Sequence, residues 1–489
     1  MDTIAIAGLS LAGLRAAETL RRLGFAGRIV AVVGEGHEPY DRPPLSKEFL
    51  AGTKQASDIV LRRQGLDELA LDVRFGVRAA SLDVADHRLG LDDGSHLEYD
   101  GLVIATGASP RRLPAAVCPP TLGGVHALRT LDDAAAIRTR LDDGARVCVI
   151  GAGFIGAEVA ATARARGLDV TVLEAQDQPM IRGLGPELGA VCARLHRDNG
   201  VDLRLGVTVE HVEGTDRVER VRLADGTTVD CDVLVVGIGV VPETAWLEGS
   251  GLEISDGVVC DESCLAGPDI VACGDVARWP NPLFDGASMR LEHWTNATEQ
   301  GVHAAERLLT GEAKPFAPVP FVWSDQYDCK IQSVGRISAD DDIEIVHGDL
   351  ESRKFVALFG RAGRLDGALG FSQPRFVMQY RRMVAERASF ADALRRAETA
   401  TSPLKQRDFK AEAAEIVHKK LGDTTRAADL FEQVLAQAML VDGCRDARPR
   451  FVAGERPGEK ARLSQQAFGA AAKIVTVADE MMKTLLQTI

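Results

Sequence analysis

The chain has 489 residues, 46% of them hydrophobic, and a formal net charge of −14. That length accommodates about three domains with ordinary globular cores, and the acidic balance argues against nucleic acid and anionic membrane as partners. The longest apolar stretch, 233–241, has nine residues including two glycines and is too short to span a bilayer.

The first residues, Met1-Asp-Thr, lead directly into an apolar run with no basic segment or cleavage site, so a signal peptide is not expected. Residues 3–7 read as a strand, followed by Gly8-Leu-Ser10-Leu-Ala12-Gly13 and an Ala-rich helical stretch. A second apolar strand, 29–33, precedes Glu35. The same succession recurs about 140 residues on: a strand at 146–150, Gly151-Ala-Gly153-Phe154-Ile155-Gly156, an Ala-rich helix, a strand at 170–173 and Glu174. This is the full context of a dinucleotide-binding fingerprint. The glycines allow a tight turn and close approach of a pyrophosphate, the helix N-terminus faces the phosphates, and the acid meets the ribose hydroxyls. Two such sites point to two cofactors meeting face to face.

Between and after these units, 102–107 reads as an apolar strand closed by a glycine turn. The second unit continues through strands at 202–209, 217–223 and 227–229, the middle turn being Ala224-Asp-Gly226. A strand at 233–236 turns at Gly237-Ile-Gly239, and 269–275 reads as a buried strand ending in Gly274-Asp275. The second unit thus sits inside the first domain, which resumes after it. Residues 316–372 alternate short strands (321–323, 331–334, 343–346, 355–359) with turns, the pattern of a small antiparallel domain. Residues 376–398 look helical.

From about Thr401 the composition changes: all four Trp and all four Tyr lie earlier, and 401–489 carries 14 basic and 12 acidic residues. Helical patterns at 409–421 and 424–440 and a polar stretch at 442–460 precede a terminal amphipathic helix. Its apolar positions (Ala467, Ala471, Ile474, Ala478, Met481, Leu485) recur at alternating spacings of four and three. Nine cysteines are scattered without a C-x-x-C, which reads as reduced, mostly buried thiols in a cytoplasmic protein. No metal site and no [2Fe–2S] spacing are expected.

Longer strings identify a family. P-Y-D-R-P-P-L-S-K at 39–47, A-T-G-A-S-P-R at 105–111, L-R-T-L-D-D-A at 128–134 and G-I-G-V-V-P at 237–242 stand beside the two fingerprints. They are joined by A-C-G-D-V-A at 272–277, E-H-W-T-N-A-T-E-Q-G at 292–301 and W-S-D-Q-Y-D at 323–328. Through them residues 1 to about 400 resemble bacterial NADH-dependent ferredoxin reductases, FAD proteins that serve Rieske oxygenases and haem-thiolate monooxygenases. Ser10 in place of the middle glycine is the one departure in the first fingerprint. The P-P-L-S-K loop stands where disulfide-reducing relatives carry C-x-x-x-x-C, so a thiol relay is disfavoured and Cys260 and Cys264 read as structural.

The resemblance implies an α/β fold of two Rossmann-like domains in a glutathione-reductase-like arrangement, with a small α+β C-terminal domain and a helical extension. The expected limits are 1–110 with 232–315 for FAD, 111–231 for NAD, 316–400 for the C-terminal domain and 401–489 for the extension. It implies FAD on Gly8, Ser10, Ala12 and Gly13, with Glu35 at its adenosine ribose and Ala79 near the adenine. Arg42, Lys47, Thr106, Gly107 and Arg129 would line the same cofactor, Gly274 and Asp275 its ribityl side, and Trp294 its isoalloxazine. NADH is implied on Gly151, Gly153, Phe154, Ile155, Gly156, Glu174 and Gly239, with Glu174 opposing a 2′-phosphate. Lys47 and Glu158 are the expected catalytic pair, Lys47 as a cation beside the flavin and Glu158 near the nicotinamide.

The implied acceptor is a [2Fe–2S] ferredoxin, with rubredoxin or another small acceptor as the alternative. Its docking candidates are the basic clusters Arg62-Arg63, Arg111-Arg112 and Arg381-Arg382. A different class also fits: a flavin-binding scaffold related to apoptosis-inducing factors, with slow turnover. The last 25 residues resemble the terminal helix of flagellar rod and hook axial proteins, which implies helical association with itself or a partner.

Overall fold

A computed structural model describes residues 1–62 and 65–401. The chain divides into two units, Met1–Ala393 and Leu394–Ile489. Of the second, only the end of the helix Phe390–Thr401 is described, so the helical patterns expected beyond it lie outside the described residues.

Two parallel sheets dominate the first unit. One has the order Leu265–Gly267, Ile270–Ala272, Gly101–Ile104, Thr3–Ala7, Arg28–Val33, Leu71–Phe75, and only its outermost pair is antiparallel. Its inner strands are buried almost throughout, which is why they read as unbroken apolar runs rather than alternating ones. The helices Leu11–Arg22 and Trp294–Thr310 cross closely against it. A Cβ on Gly301 would stand 2.4 Å from the carbonyl oxygen of Ala12, so only glycine admits this approach.

The second sheet has the order Asp202–Leu205, Val170–Glu174, Val147–Ile150, Val233–Val236, Val125–His126, all parallel. Two sequence expectations are corrected here. The run 202–209 is not one strand: Gly206, at φ +66°, turns the chain. Val209–Glu213 then joins Arg220–Leu223 and Thr228–Asp230 in a separate antiparallel sheet. Val233–Val236, expected in the resumed first domain from residue 232, instead pairs with Val147–Ile150 in the second sheet. The return occurs afterwards, where Val240–Pro242 pairs antiparallel with Ala108–Pro110, so the outgoing and returning chains form a two-stranded ribbon.

The third layer is an antiparallel sheet, Phe321–Gln326, Cys329–Gly335, Arg364–Phe371, Lys354–Arg361, Asp342–Asp349. The strand Arg364–Phe371 was not expected because Gly367 and Gly370 dilute its apolar pattern. Both glycines make room for neighbours: a Cβ on Gly370 would meet the Val377 side chain at 2.2 Å. The helical stretch at 376–398 resolves into Pro374–Ala385 and Phe390–Thr401, separated by Arg387 at φ +54°. Leu184, Leu188, Val191 and Leu195 of the helix Ile181–Asp198 pack on Phe355, Phe359 and Phe371 of this sheet, so second and third layers share a core. Among the described residues no helix is long and apolar enough to cross a membrane.

Candidate functional site

The first fingerprint is a crowded backbone turn. Gly8 has φ +97°, and a Cβ there would lie 2.4 Å from the Ala105 carbonyl oxygen. One on Gly13 would lie 1.9 Å from the Gly8 carbonyl oxygen. Ser10 caps the helix Leu11–Arg22 in extended backbone with no side-chain bond of its own to the helix, which leaves the first-turn N–H groups facing outward for an anion. Arg42 ties this turn to the acid. Its Nη2 donates to Ser10 Oγ at 3.0 Å and to Glu35 Oε1 at 2.6 Å, while Tyr40 also donates to Glu35. Burial raises the Glu35 pKa, but Arg42 and the Tyr40 hydroxyl outweigh it and hold the carboxyl below its ordinary value.

The same guanidinium donates through Nη1 to the Arg129 carbonyl at 2.5 Å, and Arg129 Nη2 pairs with Asp275 Oδ2 at 2.8 Å. Gly274 is held by Gln300, whose Oε1 accepts from its N–H at 2.9 Å, and its Cβ position is 3.0 Å from Ala12. Thr106 donates to the Glu243 carbonyl at 2.8 Å; Gly107, at φ +71°, has its Cβ position 3.3 Å from Arg129 Nη2. Val77 N–H donates to Val33 O and Gly76 N–H to Glu35 O, which brings the start of the strand Ala79–Asp83 beside the acid-bearing strand end. Ser10, Ala12, Glu35, Arg42, Ala79, Thr106, Gly107, Arg129 and Asp275 therefore converge on one rim of the first sheet.

The second fingerprint repeats the geometry. Gly151, at φ +98°, has its Cβ position 2.3 Å from the Gly237 carbonyl oxygen, and Gly156 has its own 2.1 Å from that of Gly151. Glu174 accepts from Ala152 N–H at 2.7 Å and from Gln176 N–H at 2.9 Å, so both carboxylate oxygens are oriented by backbone. A cleft of about 720 Å³ runs along Gly151, Gly153, Phe154, Glu174 and Gly239 to His293, within the usual size of a small-molecule site. Ile155 does not line it; it is exposed on the helix Phe154–Ala165.

The domains meet at Glu158, which is buried. Lys47 Nζ donates to its Oε2 at 2.7 Å, Ser46 Oγ donates to the same oxygen, and Ser324 Oγ donates to Oε1 at 2.6 Å. Lys47, with 15% of its side chain exposed, is thus an ion-paired residue and not a solvated one. Close by, Trp294 Nε1 donates to Asp41 Oδ1 at 2.7 Å and opens the helix Trp294–Thr310, whose positive end favours negative charge in front of it. His293 Nδ1 and Asn296 Oδ1 at this end are buried with no partner among the described residues, as expected of polar atoms that meet a bound group or water. Burial pushes His293 down to about 4, which keeps it neutral.

A family model described as pyridine nucleotide-disulphide oxidoreductase matches residues 2–301, and one described as reductase C-terminal matches 321–406. The ferredoxin reductase subunit of 5,5′-dehydrodivanillate O-demethylase from a Sphingobium species is 39% identical over 365 residues, 74% of this chain and 87% of that protein. Rhodocoxin reductase of Rhodococcus erythropolis is 38% identical over 387 residues, 78% and 89% of the two chains. The structure is similar to the ferredoxin reductase of the CYP199A2 system from Rhodopseudomonas palustris, with TM-score 0.75, 38% identity and 80% and 96% of the chains covered. It is also similar to the reductase in the covalent putidaredoxin reductase–putidaredoxin complex, at TM-score 0.76, 32% identity, 82% and 98%. The chain belongs to the pyridine nucleotide-disulphide oxidoreductase family, among its ferredoxin reductases.

In this family the cofactors are FAD and NAD(H), and the crowded glycine turns, the outward helix ends and the orphaned His293 and Asn296 atoms fit them. The eight described cysteines are all free and buried. Burial pushes the Cys260 thiol up to about 12 and Cys264 well above its ordinary value, which suits packing rather than thiolate chemistry. Of the basic clusters, Arg62 is paired with Glu18 and Glu68, Arg381 with Glu299 and Arg382 with Glu386; Arg63 lies outside the described residues. Arg111 and Arg112 are exposed. Sequence reasoning missed Tyr40, Asp41, Ser46, Gln300 and Ser324 as site residues. All but Gln300 and Ser324 lie in P-Y-D-R-P-P-L-S-K, and those two lie in the E-H-W and W-S-D-Q strings, so the motifs marked the segments without assigning the roles.

Proposed function

We propose that this ferredoxin reductase takes a hydride from NADH and delivers electrons singly to a [2Fe–2S] ferredoxin that serves an oxygenase or haem monooxygenase. The observation that carries the reading is the buried Lys47–Glu158 pair. Lys47 follows the loop that binds the first fingerprint through Arg42, and Glu158 lies on the helix of the second, so the pair stands where the two cofactor sites face each other. FAD, when bound, supplies the conversion between a two-electron donor and a one-electron acceptor.

In this reading Gly8, Ser10, Ala12 and Gly13 cradle the pyrophosphate of FAD and Glu35 binds its ribose. Arg42, Arg129, Thr106, Gly107, Gly274 and Asp275 fix its remainder, and Ala79 borders the adenine. Lys47 and the N-terminal end of the helix at Trp294 favour the negative charge of the reduced state. Gly151, Gly153, Phe154, Gly156 and Gly239 receive NADH, and Glu174 selects it over NADPH. We take the domain limits as 1–110 with 237–315, 111–236 and 316–400; the pairing of Val233–Val236 with Val147–Ile150 supports the boundary after Val236. We place the protein in the cytoplasm, and assign 401–489 to helical association with itself or a partner on its apolar spacing.

The test is NADH oxidation with a [2Fe–2S] ferredoxin and cytochrome c as terminal acceptor. Ferredoxin-dependent cytochrome reduction is expected to exceed the ferredoxin-free rate at least tenfold, roughly the effect of 1.4 kcal/mol in a barrier. No stimulation by ferredoxin would refute the reading, and stimulation by rubredoxin alone would replace the acceptor.

A further inference from the structure

Glu158 is held by all three layers of the molecule. Ser46 and Lys47 come from the loop of the first domain, Glu158 from the second, and Ser324 from the strand Phe321–Gln326 of the third. The Lys47–Glu158 pair is engaged entirely through Oε2; the other carboxylate oxygen, Oε1, accepts from Ser324. Ser324 is wholly buried, and Gln326 Nε2 donates to its Oγ at 3.2 Å. A hydroxyl that accepts on one side has its single proton free for the other. The chain of donors therefore has one direction, from the Gln326 amide through the Ser324 hydroxyl to Glu158 Oε1.

The last four residues of the strand alternate as its geometry requires. Ser324 and Gln326 are buried and Trp323 and Asp325 only partly so, whereas Phe321 and Val322 before them are both half-buried. Trp323 lies edge-on to Trp294 with ring centroids 6.2 Å apart. Thr162, one turn beyond Glu158 on the same helix, donates to the Ser46 carbonyl at 2.7 Å, so the loop is fixed from its other side as well. Rotation of the Glu158 carboxylate about its own stem is limited by Ser46 and Lys47 at Oε2 and by Ser324 at Oε1.

We propose that Ser324, with its hydroxyl oriented by Gln326, is a positioning residue for hydride transfer. It fixes the Glu158 carboxylate on Lys47 and so makes the C-terminal domain part of the reductive site. This rests on the functional reading above. Without the Ser324 hydroxyl, Oε1 is a buried acceptor with no donor. Ser46 and Lys47 still hold Oε2, but the carboxylate they hold is no longer fixed from its other side, although every residue of the two fingerprints stays in place.

The experiment compares wild-type holoenzyme with Ser324→Ala, Ser324→Thr and Gln326→Leu. Bound FAD is measured from absorbance, NAD⁺ affinity by equilibrium titration and flavin reduction by stopped-flow mixing with NADH. In Ser324→Ala the limiting reduction rate is expected to fall about tenfold, the effect of one charge-assisted hydrogen bond. FAD content and the Kd for NAD⁺ are expected to stay within about twofold. Ser324→Thr, which keeps the hydroxyl, restores most of the rate, and Gln326→Leu, which frees the rotor, gives an intermediate loss.

A limiting rate in Ser324→Ala within twofold of wild type overturns the proposal. So does a Kd for NAD⁺ that rises as much as the rate falls, since Ser324 would then act in binding. If Ser324→Ala loses its flavin, Gln326→Leu decides: a wild-type limiting rate there overturns the proposal and a severalfold loss at normal NAD⁺ affinity supports it. Failure of the wild-type enzyme itself to take a hydride from NADH would instead refute the functional reading.

Discussion

Glu174 should make the enzyme choose NADH, and the structure allows the size of the preference to be worked out. Both oxygens of its carboxylate accept backbone N–H groups, from Ala152 and Gln176, so the charge cannot swing away from an incoming phosphate. A 2′-phosphate carrying about −1.5 charges at about 5 Å meets a repulsion of about 1.2 kcal/mol under bulk-water screening and about 5 kcal/mol at an effective dielectric of about 20. Glu174 is only half-buried, and Arg182 lines the same cleft, so the lower part of that range applies. The expected preference is about tenfold to a hundredfold in kcat/KM, or about 1.4–2.7 kcal/mol. The assay is initial-rate oxidation of each cofactor with ferricyanide as acceptor. Glu174→Gln removes the charge while keeping shape and one acceptor; it should lower NADH efficiency severalfold and bring the ratio of the two cofactors to within about threefold. Equal efficiency in the wild type, or an unchanged ratio in the variant, would refute the role given to Glu174.

Stability should depend on pH through His196, whose Nδ1 lies 2.9 Å from the Tyr327 hydroxyl at the junction of the second and third layers. Burial pushes its pKa down to about 4, below the ordinary value near 6.5. The unfolded chain therefore binds a proton that the folded one refuses, and stability falls as pH drops through that window, by up to roughly 3 kcal/mol. Urea melts between pH 7 and 4 should show this slope, and His196→Gln should lower it by the share of His196, the buried His293, also pushed down to about 4, supplying a similar share; an unchanged slope would count against the assignment. Truncation after Ala400 should leave FAD content and NADH-driven dye reduction within about twofold, because both fingerprints lie upstream; loss of flavin would show that the extension supports the reductase core. Cys260→Ser should leave ferredoxin-linked turnover within about threefold, since a buried thiol of raised pKa is no relay, and a collapse in rate at normal FAD content would reinstate thiol chemistry.

The two fingerprints were legible because everything that defines them is local. A strand, a glycine turn, a helix and a second strand ending in an acid lie within about 30 residues of one another, and the crowding at Gly8, Gly13, Gly151 and Gly156 is between backbone segments of the same unit or its neighbouring strand. The return from the second domain to the first was not. Val233–Val236 is an apolar run buried on both faces, as are Gly101–Ile104 and Val147–Ile150. A strand of either parallel sheet reads the same. Which sheet it joins is decided by its pairing partner, and nothing within the run records that partner. The break at Gly206 was written in the sequence, by contrast, and could have divided the run 202–209, since a glycine inside a strand pattern signals a bend or a bulge.

For the site, the segments were visible but their meeting was not. Glu158 on an Ala-rich helix carries no local sign of burial; its partners Ser46 and Ser324 lie 112 and 166 residues away. The W-S-D-Q string did contain usable information, because period-two alternation puts Trp323 and Asp325 on one face and Ser324 and Gln326 on the other. A serine and a glutamine on the inward face of a strand must find polar partners, and the acid of the second fingerprint helix is one. The physical point is that the second domain can carry a carboxylate into the junction of three domains only where the other two bring donors to it. Removing Ser324 leaves Oε1 without its hydrogen bond, and removing Lys47 leaves a buried charge without its counter-ion. Within the strings at 39–47 and 323–328, Ser46, Lys47 and Ser324 satisfy a charge that belongs to another domain, whereas the fingerprint glycines satisfy a backbone turn within their own.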